Sequence, residues 1–285
     1  MKRGRSRRIL GAACAAALTL AGVVVFAADD HGPKQPWSKW FVHDLERPAP
    51  PVVTPGTFSS EQEPGKPPSD AIVLFDGKTL DQWVAAGRGG GEAPWKIQDG
   101  YMVSQKTSIR TKQKFSDMQL HVEWSEPTPG HGESQERGNS GVILMGRFEI
   151  QVLDNYQNKT YSDGQCGAIY GQFPPQVNVC RPPGEWQTYD IVFHPPRYQE
   201  GKEPVPAYVT VIQNGVVVQD HQKLMGPSGH RIVAKYPPSM PSEGPIVLQF
   251  HNNPVRFRNV WVRPLAALEH QQQTGEVASL EHERK

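Results

Sequence analysis

Alternating apolar and polar positions are the dominant pattern in the middle of the chain. In the segment MQLHVEW, apolar side chains alternate with Gln119, His121 and Glu123. The segment RFEIQVLD repeats the pattern, with Glu149 and Gln151 placed between apolar residues. Since alternate residues of a strand point to opposite faces, each segment predicts a strand with one buried face and one polar face.

Turn signals separate further segments of this kind. Asp99-Gly100 lies between WKIQ and YMV, and Asn214-Gly215 lies between YVTVIQ and VVVQ. Both dipeptides favour two-residue hairpin turns. About ten to thirteen short strands can be counted in this way, and no long segment has the period of a helix. The pattern predicts an all-β fold, an antiparallel β-sandwich of the jelly-roll type.

The two ends of the chain differ from this middle region. Residues 1–27 combine a basic start, an apolar run and a small-residue cleavage site, which predicts a secretory signal peptide, with an uncleaved membrane anchor as the alternative. Residues 28–70 are rich in Pro, Ser and Gly and predict an extended linker. The folded domain is expected over residues 71–266, followed by a polar tail over residues 267–285.

The net charge of the chain limits which classes of binding partner are expected. Loss of the leader removes five basic residues and no acid, which takes the formal charge from +1 to −4. A mildly acidic domain argues against a nucleic-acid partner or an anionic membrane surface, because phosphate groups are bound by clustered Lys and Arg.

Two cysteines remain, Cys166 and Cys180. Their even number in an exported chain predicts a disulfide, with two separate thiols as the alternative.

Six phrases, taken together and in this order, resemble one family. They are LFDGKTLDQW, GNSGVILMGRFEIQVLD, GAIYGQ, PPGEWQTYDIVF, NGVVV and PIVLQFHNNPVRFRNVWVRPL. They look like the 3-keto-disaccharide hydrolase domain, over roughly residues 71 to 265. The resemblance implies a concanavalin A-like β-sandwich, export to the bacterial periplasm or medium, and a small carbohydrate substrate with a ketone at C3. One departure is LQFHNN, where many members read LQDHG, so that Phe250 replaces an acid.

The substrate implied by the resemblance suggests an elimination. A C3 ketone acidifies the proton on C2; once a base removes this proton, the C1 substituent can leave and water can add. We expect His251 or Glu149 as the base. Asp154 is the expected acid, because Glu149, Gln151 and Asp154 resemble, with altered side chains, the E-x-D-x-x-E strand motif of retaining β-glucanases. A polar but merely solvated strand face is the alternative.

Five further residues are expected to bind the substrate. They are Gln151, Glu123, Tyr170, Lys112 and Arg258. Either of the two basic residues in this set could stabilise the enolate oxygen. No cofactor is expected, although Glu123, Glu149 and His251 together could hold a divalent cation.

Two other functions remain open on the sequence. One is a non-catalytic carbohydrate-binding module, because the same sandwich also serves lectins and fold alone does not fix function. The other is a structural envelope protein that is anchored by its low-complexity tails. The oligomeric state is open as well.

Overall fold

The computed structural model describes residues 32–87 and 89–265 of the 285-residue chain. The predicted signal peptide and the predicted polar tail lie outside the described residues. The chain divides into two compact units, one up to Pro48 and one from Ala49 onward. In the first unit, an antiparallel bridge between Lys34 and Phe41 closes a short loop. The second unit contains the predicted sandwich.

Thirteen strands occur among the described residues. They are β1 (Ile72–Phe75), β2 (Trp83–Ala85), β3 (Lys96–Gln98), β4 (Tyr101–Val103), β5 (Ile109–Thr111), β6 (Met118–Ser125), β7 (Ser140–Leu144), β8 (Phe148–Val152), β9 (Gln187–His194), β10 (Tyr208–Gln213), β11 (Val216–Lys223), β12 (Val247–Leu248) and β13 (Arg256–Pro264). The helical elements of this part of the chain are two short 3₁₀ turns, Ser134–Glu136 and Ser162–Gly164. Within the same residues, no helix has the length and apolar character needed to cross a bilayer.

Two antiparallel sheets contain these strands. The larger sheet has the order β11-β10-β9-β6-β13-β4-β3, with β1 also paired to β13. The smaller sheet has the order β2-β5-β12-β7-β8. The predicted all-β antiparallel sandwich is therefore confirmed.

The alternating pattern decides which sheet faces meet. Leu120 and Val122 of β6, and Ile150 and Val152 of β8, are fully buried in one hydrophobic core. These residues form the inner faces of the two sheets. The polar residues between them point the other way, so each sheet has an outer face that carries polar side chains.

The predicted hairpin turns are also confirmed. Asp99 and Gly100 connect β3 to β4, with φ angles of 49° and 79°. Asn214 and Gly215 connect β10 to β11, with φ angles of 51° and 81°. Two consecutive residues with positive φ match the twist of a two-residue hairpin, and Asn, Asp and Gly tolerate this conformation best.

A segment of the predicted linker contacts the larger sheet. Its ends are joined by a hydrogen bond from Thr57 N to the carbonyl oxygen of Lys66 (2.9 Å), and we call residues 57–66 the strap. The carbonyl oxygens of Ser60 and Glu61 accept hydrogen bonds from Arg258 of β13, at 2.5 and 3.2 Å. These contacts are made by backbone and polar atoms, so they leave no hydrophobic pattern in the sequence.

Candidate active site

The smaller sheet places polar side chains in two adjacent rows on its outer face. Ile143 of β7 is aligned with Glu149 of β8, and two residues along, Gly141 is aligned with Gln151. Gln249 follows β12, and its N–H donates a hydrogen bond to the carbonyl oxygen of Gly141 (2.9 Å). The register therefore brings Glu149, Gln151 and Gln249 to one region of one face.

A cavity of about 210 Å³ opens above these rows. It is lined by Asn139, Glu149, Gln151, Tyr170, His230, Gln249 and His251. Four of these residues, Glu149, Gln151, Tyr170 and His251, are site residues predicted from the sequence, and the structure brings them together. We call this the catalytic cavity.

The absence of a side chain at Gly141 makes room for the Glu149 carboxylate. A Cβ atom at position 141 would lie 2.5 Å from Glu149 Oε1 and 3.2 Å from Glu149 Cδ. The carboxylate therefore lies over the backbone of β7. The backbone of Glu149 is held from both sides, because its N–H donates to Ser228 Oγ (3.1 Å) and its carbonyl oxygen accepts from Tyr170 N (3.1 Å).

Glu149 has an unusual environment for a carboxyl group. In the part of the chain that the structure describes, its carboxylate has no ion-pair partner and no side-chain hydrogen bond. Burial disfavours the charged form and raises its pKa from 4.5 to about 7. A carboxyl group with this pKa can both accept and release a proton near neutral pH.

The floor of the catalytic cavity consists of carboxamides. Gln151 is 1 % exposed, and its Nε2 donates to Gln135 Oε1 (3.2 Å) and Asn139 Oδ1 (3.3 Å). The Oε1 atoms of Gln151 and Gln249 are buried and have no hydrogen-bond partner among the described residues. A buried polar atom without a partner is unfavourable, so both oxygens are well placed to accept hydrogen bonds from a ligand.

Tyr170 and His230, which line the catalytic cavity, belong to a hydrogen-bonded chain of three side chains. Tyr161 Oη lies 2.9 Å from Tyr170 Oη, which lies 2.9 Å from His230 Nδ1. Tyr170 and His230 also line a second cavity of about 580 Å³, which we call the outer cavity. The Tyr170–His230 pair therefore lies at the boundary between the two cavities.

His230 is the main site residue that the sequence analysis missed. It lies in the segment GPSGHR, where no apolar alternation indicates a face. Its position depends on Ser228 two residues earlier, whose hydroxyl accepts the hydrogen bond from Glu149 N. A contact across 79 residues of sequence leaves no local signal.

The structure does not place Asp154 in the catalytic cavity. Asp154 is 1 % exposed, and its Oδ2 accepts a hydrogen bond from Arg137 Nε (2.7 Å). Its Oδ1 accepts from Tyr156 N (3.0 Å), which stabilises the turn after β8. The expectation that Asp154 shares a site with Glu149 and Gln151 is therefore corrected, because its carboxylate binds Arg137 and the turn after β8. The strand ends at Val152, so the spacing that predicted a shared face no longer applies at residue 154.

Glu123 and Arg258 lie on the outer face of the larger sheet, on the opposite side of the core. Arg258 Nε donates to Glu123 Oε2 (2.7 Å), and both side chains are buried. Burial opposes ionisation of Glu123, but hydrogen bonds from His121, Ser59, Asn259 and Arg258 hold its pKa below the ordinary value. The structure therefore does not bring Glu123 and Arg258 to this cavity, because β6 and β13 belong to the other sheet.

Lys112 is also separated from the catalytic cavity. It follows β5 and lines a different cavity, together with Asp81, Glu92 and Arg110. On the smaller sheet, β5 is separated from β8 by β12 and β7. The prediction that Lys112 stabilises the enolate therefore does not fit the arrangement of the strands.

The predicted cation site cannot form as proposed. Glu123 lies on the opposite sheet from Glu149 and His251, so the three side chains do not converge. In residues 32–87 and 89–265, no group of three or more His, Cys, Asp or Glu side chains is arranged to hold a metal ion.

Cys166 and Cys180 are free thiols in the structure, but they are close together. Gln213 Nε2 lies 3.3 Å from the sulfur of Cys166 and 3.4 Å from that of Cys180. A hydrogen bond between the two thiols lowers the pKa of Cys180. The predicted disulfide is not formed in this structure and stays a prediction.

The fold resembles those of solved structures, including two proteins from the same organism. One is a protein from Parabacteroides distasonis classed provisionally as a glycosyl hydrolase; it is 45 % identical, with a TM-score of 0.73, and the match covers 79 % of this chain and 98 % of that chain. A second such protein from the same organism is 21 % identical, with a TM-score of 0.50, over 69 % of this chain and 94 % of that chain. The second similarity concerns the fold alone.

Sequence comparisons identify the family. A curated 3-keto-disaccharide hydrolase from Bacteroides thetaiotaomicron is 24 % identical over 238 residues, which cover 68 % of this chain and 78 % of that protein. The family model described as the 3-keto-alpha-glucoside-1,2-lyase-like domain matches residues 70–263. This match includes strands of both sheets and all seven residues that line the catalytic cavity. The chain therefore belongs to the 3-keto-alpha-glucoside-1,2-lyase-like domain family.

Proposed function

We propose that this protein cleaves 3-keto-glucosides by elimination, with Glu149 as the base. The observation that carries the proposal is the Glu149 carboxyl group, which has no ion-pair partner among the described residues and a pKa of about 7, in a cavity lined by two histidines and a tyrosine. The family description names a lyase, and the Bacteroides relative is named a hydrolase of 3-keto-disaccharides. Both names support a reaction at the glycosidic bond of an oxidised sugar.

The carboxamide floor supports binding of a sugar ring. A hexose presents hydroxyl groups that need acceptors when they leave water. The unpaired Oε1 atoms of Gln151 and Gln249 supply two buried acceptors next to Glu149. A sugar bound there would satisfy these atoms and bring its C2 proton within reach of the carboxylate.

The first step of the proposed reaction moves one proton and one electron pair. Glu149 takes the proton from C2, and the electrons of the C2–H bond form the enolate with the C3 carbonyl. As the carbonyl re-forms, the C1–O bond breaks and its electrons stay on the leaving oxygen, which takes up a proton. The products are the free alcohol and an unsaturated 3-keto sugar. Addition of water across the C1–C2 double bond then gives 3-keto-glucose, the net result of hydrolysis.

Three side chains in the cavity can assist this step. His251 can donate a hydrogen bond to the enolate oxygen, the role that the sequence analysis gave to Lys112 or Arg258. The Tyr170–His230 pair can donate the proton to the leaving oxygen, because it lies where the catalytic cavity meets the outer cavity. In this proposal, the pair replaces Asp154 as the acid.

Export is part of the proposal and is motivated by the sequence of residues 1–27 alone. Expression of the full chain in a bacterial host, followed by cell fractionation and N-terminal sequencing, tests it. We expect a protein processed near Ala27 in the periplasm or medium. Full-length protein in the cytoplasm would contradict this expectation.

Mass spectrometry of a 3-keto-disaccharide incubated with the purified protein tests the reaction. We expect the free monosaccharide and a keto sugar lighter by one water, followed by 3-keto-glucose. Glu149→Gln should lower the rate by about 10²- to 10⁴-fold, the usual contribution of a proton-transfer group. The matched control is Glu203→Gln, because Glu203 is exposed in the β9–β10 connection. Binding of the sugar without product release would instead indicate a carbohydrate-binding module.

A further inference from the structure

The outer cavity has a different chemical character from the catalytic cavity. Its volume is about 580 Å³, within the range typical of small-molecule sites. Its wall includes Tyr161, Tyr170, Met225, Ile232, Val233 and Ala234. These six side chains are apolar or aromatic, whereas the catalytic cavity is lined mainly by carboxamide, carboxyl and imidazole groups.

The apolar side chains of this wall are exposed to solvent. Met225 is 48 % exposed, Ile232 is 65 % exposed and Val233 is 93 % exposed. Single exposed apolar residues are common, but a group of them around a cavity indicates a binding surface. Because the group borders the catalytic cavity through Tyr170 and His230, it is continuous with the site of the proposed reaction.

The loop that carries Met225, Ile232 and Val233 is attached to β8, the strand of Glu149. Ser228 N donates to the carbonyl oxygen of Arg147 (2.8 Å), and Ser228 Oγ accepts from Glu149 N (3.1 Å). Gln172 holds the start of the loop, because its Nε2 donates to the carbonyl oxygen of Gly226 (3.0 Å) and its Oε1 accepts from Met225 N (2.9 Å). The cavity wall is therefore positioned relative to Glu149 before a ligand arrives.

We propose that the outer cavity binds an aromatic leaving group, so that the preferred substrates are 3-keto-glucosides of aromatic alcohols. This inference rests on the proposed function of Glu149 and deepens it. A second sugar would bring several hydroxyl groups to a wall of mainly apolar side chains, where few acceptors are available. An aromatic ring would instead bury its apolar surface against Ile232 and Val233 and pack near the rings of Tyr161 and Tyr170.

The two tyrosine rings support an aromatic partner. Their centroids lie 6.4 Å apart with an interplanar angle of 59°, and Tyr161 is 43 % exposed, so part of its ring is accessible to a ligand. Their hydroxyl groups bind each other and His230, so they are already engaged in hydrogen bonds. In the described part of the wall, Asp163 and Arg231 are the acidic residue and the arginine.

A matched set of substrates tests the proposal. Methyl 3-keto-α-glucoside, benzyl 3-keto-α-glucoside and a 3-keto-disaccharide share the reacting sugar, and all three release an alcohol. We expect kcat/KM for the benzyl compound to exceed that for the methyl compound by at least about tenfold, mainly through KM, because burial of the ring contributes to binding. We also expect the benzyl compound to be preferred over the disaccharide.

A variant of the wall supplies the second part of the test. Ile232→Ser combined with Val233→Ser should reduce the benzyl-to-methyl ratio to about threefold or less and leave cleavage of the methyl compound unchanged. Both side chains are exposed, so the fold should tolerate the change. The matched control is Val216→Ser combined with Val217→Ser, since these β11 valines are about 40 % exposed (42 % and 41 %) and do not line the cavity.

The possible outcomes separate the inference from the proposed function. Cleavage of all three compounds with no benzyl preference, or with a preference for the disaccharide, would overturn the aromatic leaving group and leave the proposed function intact. A benzyl preference that survives in the double variant would show that the outer cavity is not its origin and would also overturn the inference. Cleavage of none of the compounds would remove the proposed function, and the inference would fall with it.

Discussion

Glu123 and Glu149 occupy similar positions on opposite outer faces of the sandwich, yet their surroundings differ completely. Glu123 accepts hydrogen bonds from Arg258 (2.7 Å), Asn259 (2.6 Å) and Ser59, and it lies 3.3 Å from His121. Glu149 has no such partner among the described residues. As a result, the pKa of Glu123 is lowered, whereas the pKa of Glu149 is raised to about 7.

The comparison shows which surroundings let a buried carboxyl group stabilise the fold and which let it act as a base. A carboxylate with enough donors stays ionised and stabilises the fold. A carboxylate that is partly buried without donors is destabilising when ionised, and it becomes a base of useful strength near neutral pH. Glu123 is therefore a structural residue that attaches the strap to the larger sheet, and Glu149 is the candidate base.

Neutralising Glu149 and neutralising Glu123 should change the free energy of unfolding in opposite directions. At pH 8, Glu149→Gln should lower turnover by about 10²- to 10⁴-fold. The same change should raise the free energy of unfolding by up to about 3 kcal/mol, because it removes an ionised and partly buried group. Glu123→Gln should lower the free energy of unfolding by about 3 kcal/mol, because Arg258 is left buried without a counter-charge. Urea titrations and turnover assays on both variants check this.

The size of the Glu149 effect on stability depends on pH. Its folded-state pKa lies above the unfolded value, so the folded protein binds more protons between pH 4.5 and about 7. Stability therefore falls as the pH rises through this window, and the gain from Glu149→Gln should be larger at pH 8 than at pH 5. For Glu123 the shift is downward, so its contribution is present above pH 4.5 and is lost as the pH falls through the folded pKa. Equal stability changes in the two variants would contradict the comparison.

The pH dependence of turnover should identify which carboxyl group acts as the base. If Glu149 must lose its proton, kcat/KM should rise about tenfold for each pH unit below about 7 and then level off. This gives a change of about 50-fold between pH 5 and pH 7, where half of the groups have lost their proton. A base with the lowered pKa of Glu123 would instead place this limb below pH 4.5. A profile that is flat between pH 5 and pH 7 would therefore exclude Glu149.

Displacing the carboxylate without removing it is a sharper test. The Cβ atom of Gly141→Ala would lie 2.5 Å from Glu149 Oε1, so the end of this flexible side chain must move. We expect turnover to fall by roughly 10- to 100-fold, because small displacements of a catalytic group have effects of this size. The unfolding midpoint should change little. Gly91→Ala is the control, since no atom lies within 4 Å of the added Cβ, and unchanged activity of Gly141→Ala would place the base elsewhere.

The sequence predicts the strands and their faces well, because local alternation determines both. It predicts that Glu149, Gln151 and His251 belong to one site, because strand period and the family resemblance agree there. It fails for Glu123 and Arg258, because alternation shows that a side chain points outward but not from which sheet.

Two further differences between the prediction from sequence and the structure have the same physical origin. The loop carrying His230 and the strap over Glu123 contact distant strands through hydrogen bonds of backbone and hydroxyl groups. Such contacts require no apolar pattern, so the composition of residues 57–66 indicates a linker even though this segment contacts the sheet. Asp154 shows a related limit, because the strand period ends with the strand.

The smallest expected effect concerns the strap. Ser59 Oγ donates to Glu123 Oε1 and also accepts a hydrogen bond from Gly65 N (2.5 Å), so Ser59→Ala removes one donor from Glu123 and one acceptor from the strap. Since Arg258 and Asn259 remain, we expect the free energy of unfolding to fall by only about 1 to 2 kcal/mol, with cleavage by a protease inside residues 57–66 several times faster. Turnover should be unchanged, because the strap and Glu149 lie on opposite sheets. The control is Ser242→Ala. Ser242 is exposed, and its hydroxyl makes no hydrogen bond among the described residues. If Ser59→Ala lowered turnover as strongly as Gly141→Ala, the two outer faces would be functionally coupled, and the separation between a structural and a catalytic carboxyl group would not hold.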